Sequence, residues 1–293
     1  MRCRLLVTDL DGTLLDGRGQ VSRANLQAID RARDHGIEVI CATGRSWLEA
    51  RAVVQQVCTD GLAIMAGGAS LHDIASGVTV QSIDINHGMV EHCTESLLRH
   101  GHLAHLLKDP DRAGFDYLLV GDAALDAASR WWFEIHPVVT RSAPSLAAFD
   151  GGTQAALSHV IRVGTVAHSA ELAPLAEALH AEVGEHLSIK HWPALVALGQ
   201  AGIDTHLLEI FDGDVDKWTM VERVCAMRGI DPSETVAVGD GLNDVGMLRN
   251  AGMSYAVGNA DERVVAVSKR RAPHHDHSAL AAVVDDILRE SHG

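Results

Sequence analysis

Two short apolar runs, one near each end of the chain, both break into acidic turns. Residues 4–8 run straight into Asp9-Leu10-Asp11-Gly12-Thr13, and Thr235 to Val238 runs into Gly239-Asp240-Gly241-Leu242-Asn243-Asp244. A brief, continuously apolar run bounded by turn residues suits a strand buried on both faces, and such strands belong to parallel sheets. The spacing therefore predicts one parallel sheet drawing strands from both ends of a 293-residue chain.

The segments between support this. After the first acidic turn, Ser22 can cap a helix reaching about His35, which Gly36 ends. Ile37 to Cys41 reads as a second buried strand, followed by Ala42-Thr43-Gly44-Arg45. Ser46 and Glu49 form the S-x-x-E capping box of a helix reaching Val57, and Leu62 to Ala66 reads as a third strand. Strands alternating with helices at this interval make βαβ units. The middle has a different period. Helical segments (Met89 to Arg99, Ala124 to Glu134, Ala170 to Val183) mix with strands that alternate apolar and polar residues, as antiparallel sheets with one wet face do. Those strands are Leu103 to Leu107, Phe115 to Val120, His159 to Val166 and His186 to Trp192. The expectation is a doubly wound parallel α/β (Rossmann-like) core, residues 1–83 and 207–293, with an inserted α+β cap domain at 84–206.

Composition narrows the function. Lys and Arg number 24 against 39 Asp and Glu, a net charge of −15, which disfavours nucleic acid and anionic membranes as partners but leaves room for an anionic small molecule in one local pocket. Hydrophobic residues at 47% and charged residues at 22% are those of a globular chain. The five cysteines, Cys3, Cys41, Cys58, Cys93 and Cys225, are scattered without a C-x-x-C pair and read as reduced thiols. No apolar run has the roughly 18 residues needed to span a bilayer, and the N-terminal run is too short for a signal segment. A cytoplasmic protein, monomeric or homodimeric, is expected.

Four short segments fall at or just beyond the C-terminal ends of the expected core strands or on loops leading into helices, the edge where open α/β sheets bind ligands. Asp9 and Asp11 lie two apart at a strand end and point to one side. Asp240 and Asp244 lie four apart across a strand-to-helix turn, with Asn243 beside them. If these segments meet, each like-charged pair near 4 Å repels by about 4 kcal/mol at an effective dielectric of 20. Such a cluster persists only by sharing protons or binding a cation, and an all-oxygen set with water suits Mg²⁺. Either acidic segment alone would pass for a turn or a helix cap; together they favour a functional site. Thr43-Gly44-Arg45 combines a hydroxyl, a bare amide and a helix start, which can cradle an anion or be an ordinary βα turn. Lys217, entering a helix after Leu207 to Phe211, is placed to neutralise a phosphoryl oxygen and steady a carboxylate.

Asp9-Leu10-Asp11-Gly12-Thr13-Leu14-Leu15, Ala42-Thr43-Gly44-Arg45, Lys217 and Gly239 to Leu248 resemble, in order and spacing, the four motifs of the haloacid dehalogenase superfamily. The likeness is greatest to its Cof-type phosphatases, which carry a type IIB α+β cap between the second and third motifs. That resemblance implies Mg²⁺-dependent hydrolysis of a small phosphomonoester, a sugar phosphate first, with pyridoxal or nucleotide phosphates as other substrates. It implies Asp9 as nucleophile and Asp11 as acid and then base. It also implies a metal held by Asp9, the main-chain carbonyl of Asp11 and Asp240, with Asp244 assisting directly or through water, and a phosphoryl group held by Thr43, Gly44, Lys217 and Asn243. A phosphomutase or a low-turnover phosphometabolite-binding protein would use the same motifs.

Three places depart from the family pattern. Gly67-Gly68 stands where an Asn-Gly pair is common, Asp216-Lys217-Trp218 replaces a Ser-Lys-Gly run, and a late polar stretch reads His274-His275-Asp276-His277. The histidine run is expected to be a surface loop, since a chain with 18 histidines clusters some by chance. Asp212, Asp214 and Asp216 open like a calcium loop, but Lys217 occupies the position that needs glycine. Trp131 and Trp132 are expected to pack in the core.

Overall fold

A computed structural model describes residues 2–193 and 205–291. The chain divides into two compact units, 1–80 with 216–293, and 81–215.

The first unit begins with β1 (Leu5–Thr8), α1 (Arg23–Asp34), β2 (Glu38–Cys41), α2 (Trp47–Val57), β3 (Leu62–Met65), β4 (Ser70–Asp73) and β5 (Thr79–Ser82). Ser22 caps α1 by accepting from the Asn25 amide at 3.2 Å, and Glu49 closes the start of α2 by accepting from the Ser46 amide at 2.7 Å. β3, β4 and β5 form a small sheet of their own, with β3 and β4 antiparallel, a hairpin that the sequence reading did not anticipate.

The inserted unit runs α3 (His87–Arg99), β6 (Ala104–Lys108), α4 (Pro110–Ala113), β7 (Tyr117–Val120), α5 (Ala127–Ile135), β8 (Thr140–Ala143), α6 (Gly152–Leu157), β9 (Val160–His168), α7 (Ser169–Val183), β10 (Leu187–Pro193) and β11 (Thr205–Asp212). Its six strands pair in the order β10-β11-β9-β6-β7-β8. The ladders are antiparallel except β7 with β8, which is parallel, so the sheet is mixed rather than uniformly antiparallel. One face packs on α3, α6 and α7 through Leu106, Leu118, Val163, Leu208 and Ile210. On α5, Phe133 packs against Tyr117, whereas Trp131 and Trp132 are only half-buried and meet each other edge-on.

The expected limits at 83/84 and 206/207 differ from the observed ones at 80/81 and 215/216. The second differs because Leu207–Phe211 is part of β11, which pairs with β9 and β10 and not with the core sheet. Within the expected insertion, 194–204 lies outside the described residues.

The chain then returns to the first unit with α8 (Lys217–Arg228), β12 (Thr235–Gly239), α9 (Val245–Asn250), β13 (Met253–Ala256), α10 (Glu262–Val267), β14 (Arg270–Arg271) and α11 (Ala279–Ser291). The core sheet has the order β14-β13-β12-β1-β2, every ladder parallel, and β3 extends it through a bridge between Ala42 and Ile64. This is the Rossmann-like sheet expected from the two acidic-ended strands. β1 lies between β12 and β2, so the turns leaving β1 and β12 emerge side by side at the carboxyl edge. Leu6, Val236 and Val238 share a buried cluster with Ile29 of α1, Val54 of α2 and Val283 of α11. The alternate residues Leu5, Val7 and Ala237 are buried on the other face, and Met220, Val221 and Val224 of α8 are buried outside that first cluster. Each such aliphatic side chain contributes about 1.5–3 kcal/mol on burial, which makes the frame under the carboxyl edge rigid. Among the described residues, no helix is long and apolar enough to cross a membrane.

Candidate active site

β1 ends at Thr8, and the chain makes one wide turn through Asp9 to Leu15, closed by the Leu15 amide on the Leu10 carbonyl at 2.9 Å. Gly12 sits in the left-handed region, and a β-carbon there would lie 2.4 Å from Asp240 Oδ2. A bare glycine is therefore what lets the β1 turn and the β12 turn touch. Thr13 donates to Asp240 Oδ1 at 2.6 Å across the same junction.

Lys217, the first residue of α8, is fully buried, and its Nζ donates to Asp9 Oδ1 and to Asp244 Oδ1, each at 2.6 Å. Asp216 caps that helix by accepting from the Thr219 amide at 2.7 Å, which fixes where Lys217 enters. The peptide of Asp216 is backed by Gly68, where a β-carbon would stand 2.0 Å from the Asp216 carbonyl oxygen. Asp244 is also fully buried. Its Oδ2 accepts from the amides of Asp240 and Gly241, both at 3.0 Å, so it ties the β12 turn to Lys217.

Thr43 is buried, and its hydroxyl accepts from the Arg45 amide at 3.2 Å. Gly44 faces Asn243, whose Nδ2 would lie 3.7 Å from a β-carbon at that position. Arg45 reaches the carboxylate of Asp11 with two donors, Nε to Oδ2 at 2.8 Å and Nη2 to Oδ1 at 2.5 Å.

The charges do not balance. Burial pushes the pKa of Asp9 well above the ordinary carboxylate range; the Lys217 charge opposes this, and the charges of Asp244, Asp240 and Asp11 add to it. Burial also lifts Asp240 to about 6, against the hydrogen bond from Thr13 and with help from Asp244. Burial would lower Lys217, but Asp244 and Asp9 outweigh it and the ammonium is held charged. One buried ammonium thus faces three carboxylates, a set that binds a proton or a cation. Asp9, Asp240 and Asp244 each offer an oxygen within 4.8 Å of the others. These hard oxygen donors fit Mg²⁺, and a nitrogen- or sulfur-seeking metal would find none of its preferred ligands in this group.

A family model described as haloacid dehalogenase-like hydrolase matches residues 6–122 and 159–284. The chain belongs to the haloacid dehalogenase-like hydrolases. Curated relatives match along almost its whole length. One is the 5-amino-6-(5-phospho-D-ribitylamino)uracil phosphatase YbjI of Escherichia coli, 24% identical over 99% of this chain and 97% of its own. Another is the pyridoxal phosphate phosphatase YbhA of the same organism, 24% identical over 91% of this chain and 92% of its own. A solved haloacid dehalogenase-like hydrolase from Bacteroides thetaiotaomicron superposes with a TM-score of 0.77 at 20% identity, covering 98% of this chain and 100% of that one. A structure described as a subclass IIB sugar phosphatase of the superfamily superposes at 0.72 and 17% identity, covering 97% and 99%. Within the haloacid dehalogenase-like hydrolases the chain is a phosphatase of the Cof-like branch, with an inserted α+β cap.

The β1 turn, the β2–α2 loop, the start of α8 and the β12 turn come together on the core of this haloacid dehalogenase-like hydrolase. Two contributors escaped the sequence reading. Asn259, just past β13, donates through Nδ2 to the Gly12 carbonyl at 2.8 Å and to Asp240 Oδ2 at 3.3 Å. Thr13 stands inside the first motif, where nothing in the sequence marks it as the partner of Asp240. The one available signal for Asn259 was its place, two residues beyond the apolar run Tyr255 to Val257 at the same carboxyl edge.

Proposed function

We propose that this chain hydrolyses a small phosphomonoester of a carbohydrate-like alcohol, with Asp9 carrying the phosphoryl group between two half-reactions and Mg²⁺ as the cation. The observation that carries the reading is Lys217 Nζ held between Asp9 and Asp244 inside a buried set of carboxylates. An ammonium so placed fixes the Asp9 side chain and leaves one positive charge where phosphoryl oxygens arrive. Asp9, Asp240 and the main-chain carbonyl of Asp11 are the proposed holders of the metal. Asp244 lies in the same oxygen group and also holds Lys217 and the β12 turn in posture, assisting the metal directly or through water. Mg²⁺, when bound, would offset negative charge on the transferring group.

In the first half-reaction a carboxylate oxygen of Asp9 bonds to phosphorus as the bond to the alcohol oxygen breaks, and Asp11 supplies the proton that the alcohol leaves with. In the second, Asp11 takes a proton from water as that water's oxygen bonds to phosphorus and the acyl-phosphate bond breaks, returning Asp9 and phosphate. Thr43, the Gly44 amide and Asn243 hold phosphoryl oxygens; transfer of this kind is mostly positioning and charge neutralisation. The carbohydrate-like leaving group is supported by the ribityl phosphate named for YbjI and the sugar phosphatase among the structural neighbours.

The test is phosphate release from an aryl phosphate and a metabolite panel: hexose and pentose phosphates, a ribityl phosphate and pyridoxal phosphate, with and without Mg²⁺. Asp9→Asn is run alongside. Metal-dependent release that favours the polyol esters and vanishes in Asp9→Asn is expected. Equal release by the two proteins, or a preference for pyridoxal phosphate, would overturn the assignment of nucleophile or substrate respectively.

A further inference from the structure

The loop from β14 to α11 carries His274-His275-Asp276-His277, which the phosphatase chemistry does not use. A ring nitrogen from His274, one from His275 and a carboxylate oxygen of Asp276 all lie within 4.8 Å of one another. His275 is the fixed member. Its Nδ1 bonds to the Leu15 carbonyl at 2.7 Å, so that nitrogen carries the hydrogen and Nε2 keeps its lone pair. Its amide is held by Asn259 Oδ1 at 3.2 Å, and its side chain is only 14% exposed. An imidazole that spends one N–H on a backbone carbonyl keeps its other nitrogen in the tautomer that metal-binding histidines use. Asp276 is anchored as well, its Oδ1 accepting from the Gly17 amide at 2.8 Å, while Oδ2 lies 3.5 Å from His274 Nδ1. The His277 ring stands 6.0 Å from that of His274, centre to centre.

We infer that His274, His275 and Asp276 form a second metal site, one for a borderline transition-metal ion such as Zn²⁺, Co²⁺ or Ni²⁺. Two imidazoles and one carboxylate are the donor set of that class, with a fourth position left for water or His277. Tetrahedral ligands at about 2.0–2.2 Å from a metal stand roughly 3.5 Å apart, so the cluster must contract by about an ångström. His274, with its side chain 41% exposed, makes that movement by giving up the bond its Nδ1 accepts from the Asp276 amide at 3.3 Å, while Asp276 stays on the Gly17 amide through Oδ1 and offers Oδ2, and His275 stays in place. The chemistry separates this site from the oxygen cluster of Asp9, Asp240 and Asp244, which takes Mg²⁺. Asn259 spans the two, bonded to the His275 amide on one side and to Asp240 on the other.

The experiment uses tag-free full-length protein, stripped of metal and titrated with Co²⁺ in excess Mg²⁺, followed by visible absorption and by equilibrium dialysis. One equivalent of Co²⁺ with the d–d bands of a low-coordinate nitrogen site is expected, bound at micromolar concentrations. His274→Ala and His275→Ala are each expected to weaken that binding at least about tenfold, and Asp240→Asn to leave it in place. His274→Ala decides alone if loss of the Leu15 contact unfolds the His275 variant. Co²⁺ uptake unchanged in His274→Ala would assign it to other histidines, loss in Asp240→Asn alone would assign it to the oxygen cluster, and no uptake below millimolar would leave no site; each overturns the inference.

Discussion

Arg45 grips Asp11 with two donors, Nε on Oδ2 at 2.8 Å and Nη2 on Oδ1 at 2.5 Å. A planar fork on a carboxylate fixes orientation as well as charge. In the proposed reaction Asp11 is the acid, so one of these two bonds must open before that oxygen can carry a proton to the leaving alcohol, and the partner of Asp11 comes from the β2–α2 loop that also brings Thr43 and Gly44.

Replacing Asp11 with Asn is expected to lower kcat on an alkyl phosphate by about 10²–10⁴-fold, the usual contribution of a placed general acid. A nitrophenyl ester, whose leaving group needs no proton, should suffer less. Arg45→Ala should show the same ordering with a smaller loss, because Asp11 remains but is no longer steered. Steady-state kinetics on both esters checks this; equal losses on the two would place Arg45 elsewhere in the reaction.

Lys217→Met removes the ammonium bonded to both Asp9 and Asp244, leaving these buried carboxylates without that counter-charge. Breaking such a buried pair costs about 3–5 kcal/mol, which urea denaturation in chelator would register, and hydrolysis should be lost. Lys217→Arg is not expected to rescue it, since a fully buried position has no room for the larger fork.

Asp240 is lifted to about 6 by burial. The folded protein thus holds this proton more tightly than the unfolded chain, so in the metal-free state stability from this group is fully present below about pH 4 and is lost as pH rises through about 6. Melting curves in chelator should show Asp240→Asn more stable than the parent at pH 7.5, with the gap closing toward pH 4. With Mg²⁺ added, stabilisation should instead weaken in the parent as pH falls below about 6, because protons compete for the same oxygen.

Gly68→Ala sets a methyl group 2.0 Å from the Asp216 carbonyl oxygen, in a backbone conformation that already disfavours a side chain. The clash is with backbone, so the start of α8 must move and take Lys217 with it. A loss of about 1–3 kcal/mol is expected, together with a fall in kcat larger than that destabilisation explains. Denaturant titration beside kinetics separates the two.

Asn259→Ala should raise the Mg²⁺ concentration needed for half-maximal rate by about 10–100-fold while sparing the rate at saturation, as loss of a residue that orients a ligand does. Its Nδ2 bonds to Gly12 and Asp240 hold the two turns together without touching the reacting atoms.

The main features of this site were legible because each motif is local. Asp9 and Asp11 share a strand end, Asp240 and Asp244 share one turn, and the apolar runs before them mark parallel strands. What sequence could not show were relations between segments far apart. Arg45 and Asp11 are 34 residues apart, and Asn259 and Gly12 are 247 apart. Nothing in the spacing of either pair signals a bond. The His274–Asp276 run looked like chance clustering because the carbonyl of Leu15 and the amide of Gly17, which fix it, carry no side-chain signature. β11 was misplaced for a related reason. Thr205–Asp212 has the composition of a core strand, and only its pairing with β9 and β10 assigns it to the inserted unit.

β1 pairs on one side with β2, a few dozen residues away, and on the other with β12, near the opposite end of the chain. Synthesis proceeds from the N-terminus, so the growing polypeptide presents β1 with one edge bare while all of 81–215 is being made. Through that interval Asp9 has neither Lys217 nor Asp244 beside it, and the bare edge is open to the wrong strand. The inserted unit, uninterrupted in sequence, can collapse on its own in the meantime, which keeps its strands from competing for that edge. Catalytic competence therefore arrives late in the life of the nascent chain, when β12 closes the sheet and the acidic turns meet.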